Sequence, residues 1–283
     1  MAQTSASEFG DNPPRPAPDL SVIAVDAVVS MLPRPVRPQA PGVWEVLTRP
    51  VPFLRRVDRT LLRGIMLAAR RQIGTVSGIE HIVTPHPFIV ALNHTTRREA
   101  LLVPAMMIFR RGGRRIHFLS DWMFGMMPGV GFLFRRAGTI AVMNKPARPR
   151  ALNAAKPFFL EPVSALERAR ALLRKGNPVG IFPEGTVNRA PERLLPGRYG
   201  AARLSLETGV PIVPVGIRYP QAPATGPVPE NAAMDVHIGA PMTPPEIAGP
   251  TATPAEVRAW HAVMMTEIAR LSGRKWSPPV ASR

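Results

Sequence analysis

Phe88-Ile89-Val90-Ala91-Leu92 runs directly into Asn93-His94, and a helical pattern follows through Leu101, Leu102, Pro104, Met106 and Met107. A short continuous apolar run that stops on polar residues reads as a strand buried on both faces. The same switch recurs down the chain. Ile116–Leu119 and Thr139–Met143 read as strands. Leu166–Lys175 reads as a helix with Gly176 as its cap, ahead of a strand at Val179–Phe182. A helix at Ala201–Glu207 and a strand at Ile212–Ile217 follow, with Met234–Ile238 a further strand candidate and Ala255–Leu271 a closing helix. This alternation predicts an α/β fold with a mixed, largely parallel sheet flanked by helices. In such sheets ligands sit beyond the carboxyl ends of the strands. Two polar clusters, Asn93–Glu99 and Glu184–Arg189, each follow a strand end. An active site is expected there.

Toward the amino terminus the pattern changes. Residues 1–43 are rich in Pro, Ala and Ser and read as a disordered leader, with a short helix at 20–32. From Pro52, Phe53, Leu54, Val57, Leu61, Leu62, Ile65, Met66 and Ala69 recur at helical spacing. Arg55, Arg56, Arg59, Arg63, Arg70 and Arg71 fall mainly between them. The segment 44–74 is therefore expected to hold a basic amphipathic helix, with Pro52 in its first turn. Two readings fit it. Such a helix lies in the headgroup plane of an anionic membrane, or it packs its apolar stripe on its own domain. The main domain is expected over 75–272, with a Pro-rich excursion at 146–162 and a flexible tail at 273–283.

The charge balance narrows the partners. The 283 residues carry a formal net charge of +17, nearly all of it from Arg. That implies a polyanion: nucleic acid, an anionic bilayer or a phosphorylated small molecule. Aromatics are only 6%, the arginines are scattered and no nucleic-acid reading motif is present, so nucleic acid is not expected. The chain has no cysteine, which excludes thiolate nucleophiles and Cys-based metal sites. The spacing of His81, His86 and His94 follows no common ligand pattern, and no metal is expected. No apolar run is long enough to span a bilayer, and the first 20 residues lack the apolar core of a secretory signal. Peripheral contact with the cytoplasmic face of a membrane is the expectation.

Three clusters bear chemistry. His94 follows a strand, with Glu99 five residues on. A carboxylate that holds one ring nitrogen leaves the other free to take a proton from a hydroxyl. Phe182-Pro183-Glu184-Gly185-Thr186 makes a strand-end turn whose backbone N–H groups can cradle an anion, with Arg189 close behind. Arg135-Arg136-Ala137-Gly138-Thr139, leading to Asn144-Lys145, can bracket a phosphate. Each cluster alone is also what an ordinary strand-to-loop turn would show.

Their order adds information. Asn93-His94-x4-acid, then a glycine and strand closed by a basic residue, then Phe-Pro-Glu-Gly-Thr, then Val210-Pro211-Ile212-Val213-Pro214-Val215, resembles the four-block pattern of the glycerolipid acyltransferase family. That family includes the 1-acylglycerol-3-phosphate acyltransferases, and the resemblance covers about residues 75–220. It implies an O-acyltransferase with His94 as general base and Glu99 orienting it. The donor is an acyl thioester, acyl-CoA or acyl-carrier protein, and no further cofactor is implied. The acceptor is a lysolipid or glycerol phosphate, whose phosphate would be bound by Gly138, Lys145, Glu184, Gly185, Thr186 and Arg189. Two departures stand out. The family usually has Asp where Glu99 stands. The arginines expected after Thr186 and at the close of the second block are Val187 and Asn144. A catalytically silent lipid-binding relative is the alternative that these departures leave open.

Overall fold

The computed structural model describes residues 41–143, 153, 154, 156, 163–190, 192–223, 226–249 and 251–279. The expected helix at 20–32, Lys145 and most of the 146–162 excursion lie outside them. Strands β1 (Ile73–Ser77), β2 (Ile89–Leu92), β3 (His117–Asp121), β4 (Ile140–Val142), β5 (Val179–Ile181), β6 (Ile212–Arg218) and β7 (Met234–Ile238) form one sheet. Helices are α1 (Val43–Thr48), α2 (Arg56–Ala69), α3 (Glu99–Arg110), α4 (Val130–Ala137), α5 (Ala165–Arg174), α6 (Gly200–Thr208) and α7 (Pro254–Ser272).

The strand order is β1-β7-β6-β2-β5-β3-β4. β7 pairs antiparallel with β6 and parallel with β1. The other five strands run parallel to one another. This is the mixed, largely parallel sheet the alternation predicts. β1 was not foreseen, because only Ile73 and Val76 of its five residues are buried apolar side chains.

β2 lies inside the sheet, and all four of its residues are buried. Successive side chains of a strand point to opposite faces. Val90 and Leu92 join the core beneath α2 and α3. Ile89 and Ala91 join the core beneath α5, α6 and α7. Two of the helices start at side-chain caps. Ser164 with Glu167 and Thr253 with Glu256 form capping boxes on α5 and α7, and Pro254 occupies the first turn of α7.

The amino-terminal segment differs from expectation. It forms two helices, and the second begins at Arg56, not Pro52. Between them the Phe53 N–H donates to the Gly112 carbonyl over 3.5 Å and the Leu54 N–H to the Val51 carbonyl over 3.3 Å, which makes a turn. Leu62, Met66 and Ala69 of α2 are buried in the core shared with α3, so the apolar stripe faces inward. Phe53 and Val57 stay exposed. Among the described residues no helix is long and apolar enough to cross a membrane.

Within the stretch expected as a tail, Arg193 and Lys275 form a β-bridge, and Lys275 exchanges backbone hydrogen bonds with Leu194 and Glu192. The end of α7 reaches this region because Gly216 lies beneath it. A Cβ on Gly216 would stand 2.2 Å from the Leu271 carbonyl carbon.

Candidate active site

The site begins where β2 ends. The Asn93 side chain behaves as one more rung of the sheet: its amide donates to the Ile217 carbonyl over 3.1 Å and its oxygen accepts the Ile217 N–H over 2.7 Å. His94 therefore sits immediately past the ladder. Its backbone is held on both sides. The His94 N–H donates to Glu184 Oε1 over 2.9 Å, and its carbonyl accepts the Asn188 N–H over 2.7 Å.

The imidazole faces Glu99, with Nδ1 2.8 Å from Oε1. Glu99 is fully buried and is the first residue of α3. A carboxylate there benefits from the positive end of the helix dipole. The Thr95 N–H also donates to Oε1, and the Tyr219 hydroxyl donates to Oε2. Thr96 closes the ring: its hydroxyl lies 3.0 Å from the Tyr219 oxygen and accepts the Glu99 N–H over 3.4 Å. Burial, reinforced by the charge of Glu99, pushes the Tyr219 phenol well above its ordinary range, so it remains a donor. The longer reach of Glu relative to Asp is thus taken up by defined partners. With Nδ1–H committed to a carboxylate, Nε2 is the ring atom able to accept a proton. The ring is 14% exposed and lies 4.5 Å from the Phe182 ring.

The Pro-Glu-Gly-Thr turn divides into two parts. Glu184, expected to bind substrate, is buried. Its carboxylate accepts from the His94 N–H, the Leu195 N–H over 2.9 Å and the Asn188 amide over 2.7 Å. Burial raises its pKa, opposed by those donors and by Arg274. It joins the two strand-end loops and does not line the cavity. Gly185 and Thr186 do line it. Gly185 has φ +67°, and a Cβ there would meet Arg198 Nε at 2.7 Å. The glycine thus lets the Arg198 side chain lie against the turn. Arg198 also donates its backbone N–H to the Pro183 carbonyl over 2.7 Å.

The cavity encloses about 940 Å³. His94, Arg97, Arg98, Thr186 and Arg198 line one end. Its body is apolar, with Leu62 and Ile65 of α2, Leu101 and Ile108 of α3, and Phe124, Met127, Leu133 and Phe134 opposite. It follows α3 from Ala100 to Ile108, about 12 Å at 1.5 Å per residue. Asp58, bonded to Arg136 and 3.5 Å from Arg115, lies at the far end.

Other expected residues lie elsewhere. Arg189 is exposed and stands 3.9 Å from Glu230. Gly138 caps α4, and its carbonyl is 2.7 Å from His117 Nδ1. Neither lines the cavity, and Lys145 is outside the described residues. Three residues escaped the sequence reading: Tyr219, Arg198 and Arg274. Arg274 is 9% exposed, donates to the Ala190 carbonyl over 3.1 Å, and carries its charge beside Glu184, Glu99 and Tyr219.

Known proteins share this fold. The crystal structure of the 1-acyl-sn-glycerophosphate acyltransferase PlsC from Thermotoga maritima aligns with a TM-score of 0.52 at 21% identity, covering 81% of this chain and 88% of that one. At that identity the likeness is one of fold. The chloroplastic 1-acyl-sn-glycerol-3-phosphate acyltransferase BAT2 of Brassica napus is 25% identical over 141 residues, 50% of this chain and 36% of that protein. The chain thus spans about a third of the length of that curated relative. The Acyltransferase family model matches residues 74–218, which is more than half of the chain. That match runs from β1 to β6 and contains both strand-end loops that meet at His94, so the chain belongs to the Acyltransferase family.

Proposed function

We propose that this chain moves a fatty acyl group from an acyl thioester, acyl-CoA or acyl-carrier protein, to the hydroxyl of a lysophospholipid or glycerol-phosphate acceptor. One observation carries the reading: the His94–Glu99 pair, 2.8 Å apart, opens onto a long apolar cavity. The acceptor hydroxyl gives its proton to His94 Nε2 while its oxygen forms a bond to the thioester carbonyl carbon. Glu99 stabilises the imidazolium that results. The tetrahedral intermediate then expels the thiolate, the C–S bond breaks, and the thiol takes the proton back from Nε2. The thioester is already activated, so no resident cofactor is required.

The apolar cavity suits an acyl chain, and the cationic end suits a phosphate. Arg198, whose guanidinium has no acidic partner among the described residues, lies against Gly185 in the cavity wall and is the best-placed group for the acceptor's phosphate. The name of the Brassica relative supports an acceptor of this class. We place the reaction at an anionic membrane surface on its cytoplasmic face, with peripheral attachment, because the charge of +17 and the exposed apolar residues of 43–57 favour it.

The test is thiol release from acyl-CoA and from acyl-carrier protein against a panel of lysolipids and glycerol phosphate. His94→Ala is expected to lower transfer about 10³-fold with an unchanged melting temperature. Wild-type transfer by that variant would sink the mechanism. Thioester cleavage without acylation of any member of the panel would sink the acceptor assignment.

A further inference from the structure

Among the described residues two arginines are nearly buried, Arg274 and Arg111. Arg274 has Glu184 and Glu99 beside it. Arg111 has no carboxylate beside it among the described residues. It is 6% exposed, donates to the Ile82 carbonyl, and lies 4.8 Å from the centre of the Phe88 ring. Its Nε–H has no hydrogen-bond partner among the described residues. The neighbouring charge is Arg114, of the same sign, and burial together with Arg114 lowers the Arg111 pKa to about 10. A buried cation without a counter-charge is costly, and an anion supplied from outside relieves it.

There is room for one. Arg111 lines a second cavity of about 420 Å³ at the amino ends of β3 and β5. Phe53, Arg55, Arg114, Arg115 and His117 share its wall, and no Asp or Glu lines it. Arg115 stands 3.5 Å from Asp58, and His117 Nδ1 is engaged with the Gly138 carbonyl. The Arg114 guanidinium lies 4.2 Å from the centre of the Phe53 ring. Phe53 is itself 56% exposed. Trp44 and Leu47 of α1 and Val57 of α2 are exposed as well. The Glu45–Arg110 ion pair at 2.6 Å ties α1 to the residue before Arg111. This cavity and the His94 site lie at opposite ends of α3, about 16 Å apart along its axis.

We propose that this arginine cavity binds the phosphate of an anionic phospholipid headgroup, with Phe53, Val57 and Trp44 entering the interfacial layer beside it. The exposed Phe53 ring on the cavity wall favours a lipid over a free phosphate, since a soluble anion gains nothing from it. The proposal rests on the membrane part of the reading above and not on the acyl transfer.

The experiment is co-sedimentation of the full chain with phosphatidylcholine vesicles, with and without phosphatidic acid, at constant ionic strength. Arg55 and Arg114 are exposed, so Arg55→Gln with Arg114→Gln keeps the fold, which melting temperature verifies. This double variant is expected to lose affinity for the acidic vesicles about 25-fold. Arg258→Gln with Arg270→Gln makes the same charge change on α7 and is expected to stay within about twofold. Equal losses in the two doubles would overturn the site in favour of diffuse attraction. Competition by glycerol 3-phosphate or inorganic phosphate would overturn the lipid assignment. Transfer in detergent micelles at the wild-type rate by Arg55→Gln with Arg114→Gln supports a site separate from catalysis, and a matching fall there overturns it. An inactive wild-type chain that still shows the vesicle difference would sink the proposed reaction and leave the headgroup site standing.

Discussion

At the carboxyl end of the sheet Arg274 is buried beside Glu184 and Glu99, whereas at the amino end Arg111 is buried with no carboxylate beside it among the described residues and with Arg114 as its neighbour. The first environment is complete. Glu184 and Glu99 take their donors from the chain itself, and Arg274 supplies the opposing charge. Such a network holds a histidine at one angle whether or not substrate is present, which is what preorganised catalysis needs. The second environment is incomplete, with positive charge and room for an anion. Two buried cations of the same type therefore do different work: one closes a network, and the other leaves a position open for a ligand.

The sharpest way to break this contrast is to remove each cation in turn. Arg274→Met should lower stability by about 3 kcal/mol, because it leaves two buried carboxylates without their counter-charge. Arg111→Met should change stability by less than about 1 kcal/mol, or raise it, since an apolar side chain of similar length replaces an unpaired charge. Denaturant midpoints in phosphate-free buffer compare the two, and equal losses would erase the distinction.

A second, smaller contrast lies within the carboxyl end. Arg198→Ala should raise the KM for a lysophospholipid at least tenfold, about the worth of one hydrogen bond to a charged group. Arg189→Ala should leave it within about twofold, because its exposed pair with Glu230 contributes little. Steady-state kinetics with both variants decide it, and the reverse ranking would move the phosphate to the outer rim of the turn.

The smallest expected effect tests the network itself. Tyr219→Phe removes one donor to Glu99 and should lower kcat about fivefold to tenfold, with KM unchanged. A fall in melting temperature with kcat intact would make Tyr219 a packing residue only.

The parallel strands were legible because each is a short apolar run closed by turn residues, and β2 shows it most plainly, with four buried residues in succession. The His94–Glu99 pair was legible only in company: alone it is what an ordinary strand-to-helix turn would show, and the ordered Pro-Glu-Gly-Thr and Val-Pro blocks behind it set it apart. β1 was not legible, since Gly74, Thr75 and Ser77 dilute its pattern. The apolar stripe of α2 was visible as a period, yet its destination was open between a bilayer and α3. Packing turned Leu62, Met66 and Ala69 of that stripe into the core and left Val57 exposed.

Arg198 and Arg189 are a clear case of what local reading misses. Both follow the same turn, and only the direction of the chain after Gly185 brings one to the cavity and sends the other to Glu230. Tyr219 and Arg274 lie further still from the residues they serve. Tyr219 reaches Glu99 because β6 pairs beside β2, and Arg274 arrives because Gly216 lets the end of α7 lie on β6. The sequence by itself determined the strand–helix alternation and the excess of positive charge, since periodicity and net charge are properties of neighbouring residues and of composition. The tertiary structure alone decided which arginines meet a carboxylate and which face an open cavity, because burial and counter-charge depend on segments that are distant in the chain and adjacent only once the sheet has ordered them.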